Sequence, residues 1–244
     1  MSRRLWIPLA AVVALAMLAG GGAYVYFFSG LRTAPSALTL PSPTATVTSS
    51  ATASPSTPSA GSSSWTIASG SIAGYRVTEQ FAGQSSSHEA VARTSTVSGQ
   101  VTISESGGTL QLTSARITVE LSSLASVDSV AGFNVTNRDH IVQQALDVES
   151  FPTAVFEASS VTIPASAADG ETVTLTVPGQ LTVRGVTKSV TATLQLRVSG
   201  TAAQIAGKIP TNMTDFGISP PTAPFVTVQP GVTIEVSLKL AKSA

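Results

Sequence analysis

The sequence predicts an all-β fold: a closed antiparallel barrel of about eight strands with one short helix inserted. Three observations carry that reading. After residue 65 the chain alternates at period two, with Val173, Leu175 and Val177 set against Thr172, Thr174 and Thr176. Val190, Ala192, Leu194 and Leu196 alternate in the same way with Thr191, Thr193 and Gln195, and Ile234, Val236, Leu238 and Leu240 repeat the pattern. Residues 137–146 (NRDHIVQQAL) form the one convincing amphipathic helix, with Ile141 and Ala145, and Val142 and Leu146, four apart on one stripe. Turn signals at Gly107-Gly108 and Arg184-Gly185 join the strands as hairpins, so the helix caps a meander and is not a layer of an α/β sheet.

In chain order, residues 5–28 come first: 24 residues without a charge, more than the roughly 20 a helix needs to cross a bilayer. Trp6 at one end and Tyr24 and Tyr26 at the other suit the interface, and Arg3 and Arg4 favour a cytoplasmic N-terminus, so the remainder is expected outside the cytoplasmic membrane. A signal sequence cut near Ala19 or Ala23 is the alternative, which would make the protein secreted. Residues 33–64 are almost wholly Ser, Thr, Pro and Ala, and read as a disordered tether that buries too little apolar surface to order itself. The folded domain is then expected over residues 65–244, with residues 1–32 as cytoplasmic tip and anchor.

Within the domain, Leu110 and Leu112 occupy even positions while Ile117, Val119 and Leu121 occupy odd ones. One face stays buried only if a bulge near residues 113–115 resets the register, and deleting Thr113 would then be expected to turn the two leucines outward. Pro178-Gly179 is expected to break or kink a long strand. Asn137 reads as the helix N-cap, with Asp139 in the first turn, and Phe151-Pro152 leads into the next strand.

Composition narrows the chemistry. The chain has 13 basic and 13 acidic residues, but three of the basic ones precede residue 65, so the domain is mildly acidic and nucleic acid is not an expected partner. The absence of cysteine excludes disulfides and thiolate metal sites. With only His88 and His140, no hydrolase, metalloprotease or nucleotide-binding motif is present. Asp139-His140, Asp147 and Glu149 read as a solvated helix surface, and His88 as an exposed loop residue. No catalytic residue, metal or cofactor is expected.

Three motifs occur in order around the helix: residues 179–190 (GQLTVRGVTKSV), residues 214–218 (TDFGI), and Arg138-Asp139 followed by residues 151–156 (FPTAVF). In this the chain resembles the YceI-like family, lipocalin-like and polyisoprenoid-binding, and in particular its membrane-tethered actinobacterial branch. The resemblance spans residues 65–240. It departs at the start, where Trp65-Thr66-Ile67-Ala68 lacks the early acid and histidine of many members, and at Asp139-His140, which lack a spacer.

The resemblance implies a non-catalytic barrel that binds or carries a long isoprenoid lipid, a quinone or polyprenyl species, in an all-apolar lumen. Alternation nominates Tyr75, Val77, Phe81, Val101, Ile103, Phe156, Leu175, Leu194, Leu196, Ile205, Val236 and Leu238 for the inward face. Phe133, Ile141, Phe151, Phe216 and Phe225 are candidates for the lid or mouth. A ligand-free structural or interaction module of the cell envelope is the alternative. A lipid-modifying enzyme would need a polar pair inside the barrel, for which Tyr75 with Arg76 or Glu79 is the nearest candidate.

Overall fold

Hairpin follows hairpin along the chain until the last strand returns to the first. The computed structural model describes residues 32–41, 61–82, 87–130, 135–223 and 226–243. Its strands are β1 (Arg32–Thr33), β2 (Gly61–Ile67), β3 (Ile72–Phe81), β4 (Ser87–Thr94), β5 (Val97–Ser106), β6 (Thr109–Glu120), β7 (Ala125–Ser126) and β8 (Ser129–Val130). Helix α1 (Thr136–Leu146) comes next. Then follow β9 (Thr153–Ala158), β10 (Val161–Ile163), β11 (Val173–Val183), β12 (Val186–Ser199), β13 (Ala202–Asn212), β14 (Thr222–Ala223) and β15 (Val226–Lys242).

β2 and β3 act as one wall strand with a kink at residues 68–71, and β4 and β5 as a second with a kink at residues 95–96. The ladder continues through β6, β9, β11, β12, β13 and β15, each antiparallel to the one before. β15 then pairs with β3 along residues 226–237 and with β2 along residues 240–242. This closes an eight-stranded up-and-down barrel, an architecture without open edges. The connections after β3, β6, β11 and β13 gather at one end, which also carries α1; the turns after β5 and β12 lie at the base.

The bulge sits at Thr113. Thr102 faces Ser114 and Ile103 faces Leu112, so Thr113 is the unpaired extra residue, and its Oγ1 donates to the Thr102 carbonyl at 3.1 Å. Leu112, Ala115 and Ile117 are all buried as a result. The expected effect of deleting Thr113 is thereby corrected: Leu112 and Ser114 already hold their partners, so the deletion restores a regular ladder with Leu110 and Leu112 still inward. Such a variant should fold and melt only a few degrees lower, about 1 kcal/mol for a domain of this size. Loss of folding in circular dichroism would show that Thr113 pins the register.

Two other local expectations also change. β11 runs unbroken through Pro178-Gly179, because β9 pairs only with residues 179–182 and the missing N–H of Pro178 meets no ladder on that side. Gly179 answers to packing, since a Cβ there would sit 2.6 Å from the Phe156 ring. The helix starts one residue early, after Val135, which makes no side-chain cap, and Asn137 lies in the first turn.

The expected structureless tether does not hold for residues 33–41. β1 pairs with β8, and Thr33 Oγ1 and Ser129 Oγ lie 2.9 Å apart. From there the chain crosses the outer wall: Arg76 Nη2 donates to the Pro35 carbonyl at 2.8 Å, Arg93 Nη2 to Ser36 at 2.6 Å, and Arg197 Nη2 to Pro41 at 2.8 Å. The Leu38 N–H donates to Glu235 Oε2 at 3.2 Å, while Glu235, 3% exposed, also accepts from Arg93 and Arg76. A Pro-rich extended segment leaves its carbonyls unpaired, and the wall arginines use them. Polar backbone groups hold the segment to the wall, and Leu38 and Leu40 are half-buried beside them. β2 starts at Gly61, four residues before the expected boundary. No helix among the described residues is long and apolar enough to cross a membrane, and residues 5–28 lie outside them.

Candidate functional site

The inward faces do not meet in the middle. They enclose a cavity of about 690 Å³ that runs from Trp65, Val101 and Leu240 at the base to α1 at the other end. β15 lines it with side chains from Val226 to Leu240, most of the length of the strand. Such a space is long and narrow. Valine, leucine and isoleucine make up most of its wall because the alternation sends the Thr, Gln and Lys side chains of these strands outward, with Thr211 of β13 the exception. The helix spans the mouth with Val142, Ala145 and Leu146 on the cavity, and Ile141 also lines it while remaining 50% exposed.

Polar groups enter the cavity wall mainly at the helix end, which corrects the expectation of an all-apolar lumen. Tyr75, Glu79, Asn137 and Arg138 line it there. Arg138 is the hub: Nη1 reaches Glu79 Oε2 at 3.4 Å, Nη2 donates to Ser126 Oγ at 2.9 Å, and Nη2 also pairs closely with Asp128 Oδ1. Asp128 Oδ2 lies 2.8 Å from His88 Nε2, and its Oδ1 accepts from the Val91 N–H at 3.0 Å. Asp139 accepts from the Ser126 N–H at 3.0 Å. These contacts fasten the helix and the segment before it to β3 and β4.

Burial acts on each group differently. It would raise the Asp128 carboxyl, but the hydrogen bonds from His88, Arg138 and the Val91 N–H outweigh it and hold the value at about 2. Burial raises Glu79, and the opposing attractions of Arg138 and His88 do not cancel it. For Arg138, burial would lower the value, yet Asp128 and Glu79 raise it further, so the guanidinium is a fixed cation at the cavity wall. Burial also pushes the Tyr75 phenol well above its ordinary range, leaving a neutral O–H donor beside that cation.

A family model for the YceI-like domain matches residues 65–240. The chain belongs to the YceI-like family. Among solved structures, it is similar to a polyisoprenoid binding domain from Saccharophagus degradans implicated in plant cell wall breakdown, with a TM-score of 0.53 at 13% identity, covering 73% of this chain and 98% of that one. It is also similar to BcnA of Burkholderia cenocepacia, with a TM-score of 0.47 at 17% identity over 68% of this chain and 95% of that one. The Campylobacter jejuni YCEI protein gives 0.44 at 12% identity, over 68% and 84%. At 13% identity the likeness to the Saccharophagus degradans domain is one of fold. No curated protein sequence matches the chain significantly.

The three YceI-like motifs all build the helix end. Arg138 and Asp139 are the fastening residues just described. In residues 214–218, Asn212 Oδ1 accepts from the Thr214 N–H at 3.1 Å, the following turn sends Phe216 and Ile218 into the cavity, and Arg184 Nη1 donates to the Gly217 carbonyl at 2.7 Å. Arg184 and Gly185 close the β11–β12 turn, both with positive φ.

All twelve residues nominated for the inward face line the cavity, as do Ile141 and Phe216. Phe151 does not; it is 37% exposed and packs over Gly185. Phe133 and Phe225 lie outside the described residues. Of the polar pairs considered, Tyr75 and Glu79 share the cavity, while Arg76 points outward to Glu89 and the Pro35 carbonyl. His88 is 5% exposed and sits on β4, which corrects its reading as a loop residue. Sequence reasoning missed Asp128, which lies in SVDSV without periodicity or motif. Among the described residues no group of three or more acids and histidines is placed to hold a metal ion.

Proposed function

We propose that this YceI-like barrel binds a long-chain isoprenoid lipid, a quinone or polyprenyl species, and carries it without catalysis outside the cytoplasmic membrane. The observation that carries this reading is the shape and polarity of the cavity: a long apolar slot with one fixed cation, one carboxyl and one phenol at its helix end. An unsaturated hydrocarbon chain gains by burying its surface along the slot, at about 25 cal/mol per Å², while a polar head finds donors at the helix end in Arg138, Tyr75 and Asn137. The similar domain from Saccharophagus degradans is a polyisoprenoid binding domain, which supports the ligand class. A structural module would gain nothing from an unfilled slot, since empty apolar space weakens a core.

The charge-free run at residues 5–28 supports attachment to the membrane. Mass spectrometry of lipid extracted from the full chain, purified from an isoprenoid-rich host, tests the reading. One long isoprenoid per folded chain is expected. A folded protein that yields none, and takes up none when offered ubiquinone or undecaprenol, would favour the ligand-free envelope module.

A further inference from the structure

Two independent features converge on the helix end of the barrel. The first is where the chain enters. β1 pairs with β8, three residues after Ser126, which bonds to Asp139 of the helix, and Val130 itself lines the cavity. Residue 32 therefore lies at the mouth end. Residues 33–41 then lead away from it toward Arg197, which also bonds to Gln204 near the base. Only residues 29–31 separate Arg32 from the charge-free run that ends at Phe28, so four residue steps, at most roughly 14 Å, join the two.

The second feature is exposed apolar surface. Among the described residues the exposed large hydrophobic side chains are Val127, Ile141 and Phe151, at 46%, 50% and 37%. All three fall in the connection between β6 and β9 that carries the helix, with Val127 beside β4, where its N–H donates to the Val91 carbonyl at 2.9 Å. Ile141 also lines the cavity, so its exposed side chain sits at the mouth itself. Soluble surfaces scatter such residues singly; gathered at one opening they mark a contact face.

We infer that the helix end is the face that meets the lipid bilayer: the strap formed by residues 32–41 holds the cavity mouth against the membrane, with Val127, Ile141 and Phe151 at the contact. The inference rests on the reading of residues 5–28 as a membrane anchor. A bilayer fits better than a protein partner because the chain that leads to it emerges at this end on a connection too short to let the barrel turn its base toward the membrane. A lipid could then pass between bilayer and cavity without crossing water.

The native chain has no cysteine, so single cysteines report cleanly. Val127→Cys and Ile141→Cys at the helix end, and Thr201→Cys at the base, are introduced into the full chain. Each is labelled with an environment-sensitive fluorophore and reconstituted in phosphatidylcholine/phosphatidylglycerol vesicles carrying a brominated phospholipid. Flotation of the vesicles reads the anchor separately, and thermal melting confirms the fold of each variant.

Several-fold stronger quenching at positions 127 and 141 than at position 201 is expected. Equal quenching at both ends, stronger quenching at position 201, or no quenching at all in protein that floats would overturn the orientation and leave the anchor standing. Protein that does not float would overturn both.

Discussion

Leu194→Lys should empty the cavity of isoprenoid lipid, while Thr193→Lys should leave it loaded. Leu194 lines the cavity between Leu175 on β11 and Gly207 on β13, with no acid among its ladder partners. An ammonium there either stays charged without a partner or loses its proton, and either outcome costs several kcal/mol. Since about 1.4 kcal/mol is tenfold in affinity, lipid recovered per mole of folded protein should fall by about tenfold or more. Thr193 is exposed on the outer face opposite Thr176 and Lys208, so a lysine there meets one like charge at a cost of a few tenths of a kcal/mol. Lipid is weighed by mass spectrometry, and melting curves are recorded on both variants. Equal lipid content in the two would mean that the ligand does not occupy the cavity.

Asp128→Asn should destabilise the domain by about 3 kcal/mol, because it leaves the Arg138 cation with only Glu79, a carboxyl that burial already biases toward its neutral form. For a domain of this size that is roughly 6–12 °C in melting temperature. The pH dependence identifies the cause. The Asp128 carboxyl is held at about 2, below the ordinary Asp value. Its contribution, about 2 kcal/mol, is therefore present at neutral pH and lost as the pH falls from about 4 to about 2. Glu79 has the opposite sign: its value is raised, so its favourable contribution belongs to low pH and is lost as the pH rises through that raised value. Mild acidification should thus be tolerated, with the loss concentrated near pH 2–4. The gap in melting temperature between wild type and Asp128→Asn should narrow over the same range. A gap constant with pH would show that packing, not the buried charge, is responsible.

The barrel was legible in the chain because its information is local. A period of two over seven or more residues has one physical use, a wall with a wet face and a dry one, and from it the inward residues follow without knowledge of their partners. The bulge was legible for the same reason: a change of parity between Leu112 and Ile117 admits few solutions, and Thr113 is the residue left over. The helix was legible from its own stripe.

What pairs across the fold was not. Asp128 and His88 are 40 residues apart, one in an aperiodic loop and the other on a strand, and neither carries a local sign that burial and a guanidinium would bring them together. Pro178-Gly179 looked like a break because a proline's cost depends on whether a neighbour needs its N–H, which only the ladder reveals. The strap is the clearest case. Composition shows only two leucines in residues 33–41, too few to order the segment alone, but its carbonyls meet Arg76, Arg93 and Arg197, drawn from three different strands. Hydrophobic patterning is written along the chain; polar pairing is decided between distant segments, and only the tertiary structure brings those together.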